Sequence, residues 1–262
     1  MIMDAALTLT VYIVALFAVS LVGAYVPHIR KLTDNQIHLL IAMSAGIFLG
    51  ILFFLLLPEA IHESEEGNIE HTYVMITVLG GFLVILLVDV FLKHFHMMGC
   101  ACECHEDMHR HRIGSLSAFV GLAVHALVDG LVLATTLVAD SDIAFLALAG
   151  MCIHKFVELF SLSSTFLLTE EDDGTIMRYL LAFSLITPLG ALISFVVFNG
   201  VSVDGMVGLP LAFSAGTFMY VALCNMIPEA FHRKNQDLRS FLFLLIGIAI
   251  SAAVFLLFGH SH

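Results

Sequence analysis

Eight apolar runs divide the chain, near residues 6 to 27, 38 to 58, 73 to 92, 114 to 138, 143 to 168, 178 to 199, 208 to 230 and 240 to 258. A helix crosses the roughly 30 Å hydrocarbon core of a bilayer in about 20 residues, and each run has that length. Because lipid offers no partner for backbone amides, a crossing segment must satisfy its hydrogen bonds internally. The pattern predicts an all-α integral membrane protein of eight transmembrane helices, a single membrane domain over residues 1 to 262 with both termini on one face. With 60% hydrophobic and only 12% charged residues, the chain cannot cover itself with a water-compatible surface.

Charge gives the orientation. Of ten Lys and Arg residues, nine (Arg30, Lys31, Lys93, Arg110, Arg112, Arg178, Arg233, Lys234 and Arg239) fall in alternate connections. The intervening connections hold His62, Glu63, Glu65, Glu66, Glu70, Asp140, Asp142 and Asp204. The positive-inside rule makes the basic connections cytoplasmic and puts both termini outside. The start, MIMDAALTLTVY, has no basic segment before the first run, which is expected to be retained as a helix. A net charge of −12 argues against a nucleic-acid partner, and acidic outer connections concentrate cations at one mouth. Short connections point to a prokaryotic cytoplasmic membrane. The five cysteines, three in one loop and two within spans, form no disulfide framework.

Two spans are copies. Residues 44 to 63 read SAGIFLGILFFLLLPEAIHE and residues 214 to 233 read SAGTFMYVALCNMIPEAFHR, identical at 8 of 20 positions without gaps. Similarity between Leu-rich helices explains apolar matches, but not Pro58-Glu59-Ala60-x-His62 against Pro228-Glu229-Ala230-x-His232. Five spans lie between them, an odd number, so the copies run in opposite directions, the inverted arrangement common in secondary transporters. Glu59 and His62 then mark the outer mouth, and Glu229 and His232 the inner one. Pro58 and Pro228 release a backbone carbonyl and kink their helices.

Span 4 contains VHALVDG and span 5 contains IHKFVEL, each a His followed four residues later by a carboxylate on the same helix face. Asp129, Lys155 and Glu158 lie mid-span, where each charge costs roughly 2.5–3.5 kcal/mol. One such His/acid pair is equally a satisfied interhelical hydrogen bond. Two pairs on consecutive helices, His125 with Asp129 and His154 with Glu158, point instead to N and O ligands for a divalent first-row metal. Glu158 also faces Lys155, three residues before it, and is expected to bind metal and pair with that ammonium. A second metal beside the first would need Ala126 and Lys155, and neither is a ligand there.

The loop between spans 3 and 4, HFHMMGCACECHEDMHRHR, is dense in soft and borderline ligands: Cys100, Cys102, Cys104, His105, His109 and His111. Its spacing fits no closed structural zinc site, so its expected role is weak receipt or sensing of metal, set against a plain solvated loop. Glu170-Glu171-Asp172-Asp173 reads as a charged turn, and Asp89 with Lys93 as an ordinary ion pair.

Together with TPLG at 187 to 190 and YVALCNMIPEAFH in span 7, these motifs resemble the ZIP (Zrt-/Irt-like) family of divalent metal transporters over spans 2 to 7. The resemblance implies eight helices in a three-plus-two-plus-three arrangement. On that division residues 1 to 96 form the first repeat, 97 to 112 a cytoplasmic Cys/His loop, 113 to 170 the two metal-site helices and 171 to 262 the inverted repeat. It further implies a homodimer, an elevator-like movement of a bundle containing spans 4 and 5, and transport of Zn²⁺, with Fe²⁺, Mn²⁺ and Cd²⁺ as further substrates, into the cytosol. His125, Asp129, His154 and Glu158 match the transport site; Glu59, His62, Glu229 and His232 serve uptake and release. Relatives with two metals have Asn where this chain has Ala126, an acid or other ligand at Lys155, and often Glu at Thr187. These departures imply one transported metal, with Lys155 standing in for a second. Asn225 replaces an Asp common in relatives and coordinates through its amide oxygen.

Two other functions use the same residues. An intramembrane zinc hydrolase would activate water on a lipid substrate, but no general acid or base stands out beside the ligands, and matched motifs at opposite faces serve it no purpose. A metal sensor without flux would bind and not carry. The inverted repeat favours the transporter, and without a P-loop direct ATP coupling is not expected. Two His and two carboxylates suit Zn²⁺, Fe²⁺, Co²⁺ and Cd²⁺, and no organic cofactor is implied. Because metal needs neutral imidazole, uptake is expected to fall below about pH 6.5.

Overall fold

The computed structural model describes residues 2–29, 32–97, 106–139, 141–169, 171–197, 207–231 and 237–258. Among them every regular element is a helix: α1 (Ile2–Tyr25), α2 (Asp34–Ile51), α3 (Leu57–Glu66), α4 (His71–Met97), α5 (Glu106–Ala139), α6 (Ser141–Phe166), α7 (Asp173–Ser184), α8 (Ile186–Val197), α9 (Gly208–Tyr220), α10 (Ile227–Ala230) and α11 (Asp237–Phe258). Seven stretches among the described residues are long and apolar enough to cross a bilayer. α4 and α5 extend into the expected loop at 97 to 112, leaving a shorter connection than the charge pattern suggested. Cys100, Cys102, Cys104 and His105 lie outside the described residues, and His109 and His111 fall in the first turns of α5.

Local chemistry explains where helices start and break. Thr33 opens α2 with a capping box, its backbone N–H donating to Gln36 Oε1 at 2.9 Å. Asp172 caps α7 by accepting from Thr175 N at 3.0 Å and Thr175 Oγ1 at 2.7 Å. Those two bonds hold the Asp172 carboxyl below its ordinary range. The sixth run is split at Leu185 into α7 and α8. Pro188 is the cause: it cannot donate, and its ring crowds the carbonyl four residues back.

The duplicated spans share a backbone feature beyond the expected proline kink. α2 passes through a π-helical segment, Leu52–Leu56, into α3, and α9 passes through Val221–Met226 into α10. Each widened turn ends just before the helical turn carrying Pro58 or Pro228. A π turn spaces the ladder to five residues and gives the proline ring room without breaking the rod.

Glycines set how closely the rods approach. α2 packs on α11, α4 on α9, α1 on α6 and α5 on α8, and α5 meets α6. A Cβ on Gly46 would lie 2.0 Å from the Leu244 carbonyl oxygen, and one on Gly247 2.1 Å from that of Met43. The α4–α9 crossing is built identically, Gly216 facing the Val78 oxygen at 1.9 Å and Gly81 that of Phe213 at 2.0 Å. Shifting α2 by 170 positions and α4 by 166 converts one crossing into the other, residue for residue. The remaining pairs match too: Gly23 of α1 faces the Phe156 oxygen of α6 at 2.4 Å, and Gly190 of α8 faces the Leu127 oxygen of α5 at 2.5 Å. α5 and α6 are thus mates at a shift of 29, which carries His125 onto His154 and Asp129 onto Glu158. The symmetry extends through all the spans and relates the two central helices to each other.

The main core gathers α2, α5, α6, α7 and α9, with Phe48, Leu122, Ala126, Leu159 and Phe218 fully or almost fully buried. Phe48 and Phe218, mates at the 170 shift, stack with ring centroids 4.4 Å apart. Gly216→Ala is expected to push α9 off α4 and cost about 1–3 kcal/mol, read as a lower Tm in detergent. Gly80→Ala has nothing within 4 Å of the new Cβ and is expected to be neutral or slightly stabilising. Equal effects of the two changes would refute the close-approach account.

Candidate metal centre

α5 and α6 each present one helix face to the other, and the i, i+4 spacing brings four polar residues to it. His125, Lys155 and Glu158 are 0–1% exposed and Asp129 is 6% exposed. His125 Nε2 and His154 Nε2 lie 2.9 Å apart. Asp129 completes the group, its Oδ1 3.4 Å from His125 Nε2 and its Oδ2 3.5 Å from His154 Nε2.

Those separations suit a metal. A tetrahedral Zn²⁺ with bonds of about 2.0–2.1 Å has donors about 3.3 Å from one another; here the two imidazole nitrogens are 2.9 Å apart, each has one of the two Asp129 oxygens at 3.4 or 3.5 Å, and one donor atom from each residue lies within 4.8 Å of the others. Two imidazole nitrogens and one carboxylate oxygen are borderline and hard donors fit for a first-row divalent ion. Three protein ligands leave a fourth position for water or another side chain.

Glu158 stands outside this group of three. Its Oε2 accepts from Lys155 Nζ, while its Oε1 is buried with no hydrogen-bond partner among the described residues. Lys155 Nζ also lies 2.7 Å from Asp129 Oδ2. The ammonium therefore bridges both carboxylates; the sequence led us to expect its pairing with Glu158 but not its contact with Asp129. With Lys155 protonated and both acids ionised, the cluster holds one excess negative charge in a buried setting, which favours a cation.

Other expected residues are spread along the rods. His62 is exposed, its Nε2 3.6 Å from Glu66 Oε1; Glu59, one turn before it, is half-buried. Glu229 lies near α2, its Oε1 3.6 Å from His38 Nδ1, and its mate in the motif, His232, is outside the described residues. Asn225 sits on the π segment of the seventh span and donates from Nδ2 to Ser117 Oγ at 3.1 Å, so its carbonyl oxygen is the atom a cation would meet. Asp89 and Lys93 pair at 2.5 Å as expected, and Tyr220 OH joins them by donating to Asp89 Oδ2 at 2.9 Å.

Two contacts escaped the sequence reading. His125 Nδ1 lies 2.5 Å from Ser214 Oγ; a hydrogen bond there fixes the ring and turns Nε2 toward the other donors. Ser214 opens the repeated segment, SAGTF, which was the available signal. His38, buried at the start of α2, donates from Nδ1 to the Glu229 backbone oxygen at 2.9 Å, joining the two repeats. Phe218 lines the site, its ring centroid 4.7 Å from His125 and 6.0 Å from His154.

The ZIP Zinc transporter family matches residues 6–101 and 99–254. Zinc transporter ZIP9-B of Xenopus laevis is 26% identical over 266 residues, covering 83% of this chain and 86% of that protein. Zinc transporter ZIP9 of Micropogonias undulatus is 25% identical over 260 residues, 80% of this chain and 82% of its own. Zinc transporter ZIP1 of Danio rerio is 29% identical over 159 residues, 60% of this chain and 52% of its own. This chain belongs to the ZIP zinc transporter family and is an integral membrane transporter, not an enzyme.

Proposed function

We propose that the protein carries a divalent metal, Zn²⁺ first, through the membrane to the cytosol, binding it between α5 and α6. The observation that carries this reading is the convergence of His125, Asp129 and His154 on one buried point. Glu158 is the fourth ligand, supplied by its unpartnered Oε1, and Lys155 takes the place of a second ion.

Selection follows from the donor set, which also accepts Fe²⁺, Mn²⁺, Co²⁺ and Cd²⁺. Glu59 and His62 collect metal at the outer mouth, and Asn225, Glu229 and His232 receive it at the inner one. The Cys100 to His111 tract takes it up in the cytosol. The strongest pairings are α1 with α6 and α5 with α8 and α6 on the one hand, and α2 with α11 and α4 with α9 on the other, and the proposed cycle takes α1, α5, α6, α7 and α8 as one group and α2, α4, α9 and α11 as a second. In the proposed cycle the first group, which holds the metal, slides as an elevator against the second, and two copies of the chain associate as a homodimer through the second group. The opposed repeats supply matched outward- and inward-facing states.

Metal binds as water leaves it, and Lys155, which reaches both carboxylates at once, offsets their charge when the metal departs. Binding requires both imidazoles neutral and the carboxylates ionised, so protons compete with metal.

Zinc uptake into proteoliposomes of known orientation tests the site. His125→Ala, Asp129→Ala and Glu158→Ala are expected to cut uptake at low zinc by about 10–100-fold or more, since even the partner of a metal ligand is worth that much. Retained flux in all three would sink the assignment. Lys155→Ala removes the bridging charge and leaves two unneutralised acids, so zinc is expected to bind tighter and turn over more slowly, a fall in KM and kcat together.

A further inference from the structure

Building on the transport reading, we infer that Ser214 and Ser44 are alternate positioning residues for the two metal-site histidines. Ser214 holds His125 in the state described here, and Ser44 holds His154 in the opposite-facing state.

The register supports this directly. The 170 shift between α2 and α9 places Ser44 on Ser214 and Phe48 on Phe218. The 29 shift between α5 and α6 places His125 on His154, a relation fixed independently by the Gly190–Leu127 and Gly23–Phe156 crossings. Symmetry therefore pairs Ser214–His125 with Ser44–His154. Only the first contact is made, with Ser214 Oγ 2.5 Å from His125 Nδ1. The two atoms of its mate, Ser44 Oγ and His154 Nδ1, are both buried and without a hydrogen-bond partner among the described residues. Leaving a buried donor and acceptor unpaired is costly, so both atoms are poised for a partner.

Aromatic packing shows the same lopsidedness. Phe218 lies against both imidazoles, and the ring contact of its mate Phe48 is with Phe218. The α9 side of the pseudo-two-fold is thus closed on the histidines and the α2 side is not. Inverted repeats generate the other face of a transporter by exchanging the conformations of their halves. In that exchange α5 and α6 pass from α9 to α2, His125 releases Ser214, and His154 takes Ser44. Each state leaves one serine–histidine pair unmade, which keeps the two nearly balanced. The bonded Nδ1–H fixes its ring and strengthens Nε2 as a ligand, so the better-held histidine changes with the open mouth.

The test uses full-length protein in proteoliposomes, with its five native cysteines replaced and one reporter at a mouth, Glu59→Cys or Glu229→Cys. The readout is the ratio of labelling of the two reporters by a membrane-impermeant maleimide, alongside zinc uptake by the chain without reporters. Ser44→Ala and Ser214→Ala are expected to move that ratio in opposite directions by about fivefold each, the size of one buried hydrogen bond. The double variant returns it to within about twofold, and Ser44→Thr and Ser214→Thr, which keep the hydroxyl, leave it unchanged. Should Ser44→Ala not yield folded protein, Ser44→Gly takes its place. Shifts in one direction, or none, with intact zinc uptake would overturn the exchange and spare the transport reading. Absent flux without any substitution would overturn both.

Discussion

Lys155 holds the buried site together. Hydrocarbon and apolar side chains offer nothing to an ionised carboxylate, so Asp129 and Glu158 need a partner from within the protein. One ammonium reaches both. It is itself 1% exposed, and moving any of the three ions alone would strand the others. Ionic pairing thus pins the register of α6 against α5, and with it the distance between His125 and His154. With both acids ionised the cluster holds one net negative charge, so the same arrangement that makes the pair foldable also makes it attractive to a cation.

Around that pair, symmetry is imposed by backbone contact. A helix approaching another closely enough to exclude lipid needs a residue without a side chain at the crossing, and each crossing described here has a glycine facing a carbonyl of its neighbour. Because the four crossings form two mated sets, either half of the fold could serve as the template of the other. The π segments before Pro58 and Pro228 belong to the same duplication. They let a proline sit within a crossing rod at matching depths in both copies.

Much of this was legible in the sequence. Apolar runs mark most rod ends to within a few residues because the bilayer dictates their length, although the second rod continues to Glu66 and α5 starts at Glu106, and His-x3-Asp and His-x3-Glu mark the candidate site because few alternatives justify such residues in mid-span. Four features were not legible. The break at Leu185 lies within a run that stays apolar throughout, so hydropathy passes over it. Ser214 and His38 act through contacts 89 and 191 residues away in sequence, and a lone Ser or His on an apolar helix announces no partner. The kinship of α5 and α6 was visible only as two short motifs; the glycines that complete it, Gly23 and Gly190, sit on other helices and become informative only when packing shows what they face. Separating Glu158 from the three converging donors likewise required distances, since four-residue spacing treats Asp129 and Glu158 alike.

The lysine also bears on stoichiometry. α5 and α6 are mates, and a strictly symmetric site would carry the same residue at 126 and 155. It carries Ala and Lys instead. Ala126 is fully buried and leaves no room or ligand on the α5 side, while the ammonium fills the corresponding volume on the α6 side and brings one positive charge. A divalent ion there would bring two, along with its own demand for donors that Ala126 cannot meet. The mates differ in residue class at 126 and 155, whereas the ligating types are kept at 125 and 154 and at 129 and 158. The single-ion reading proposed above rests on that broken pair, Ala126 and Lys155.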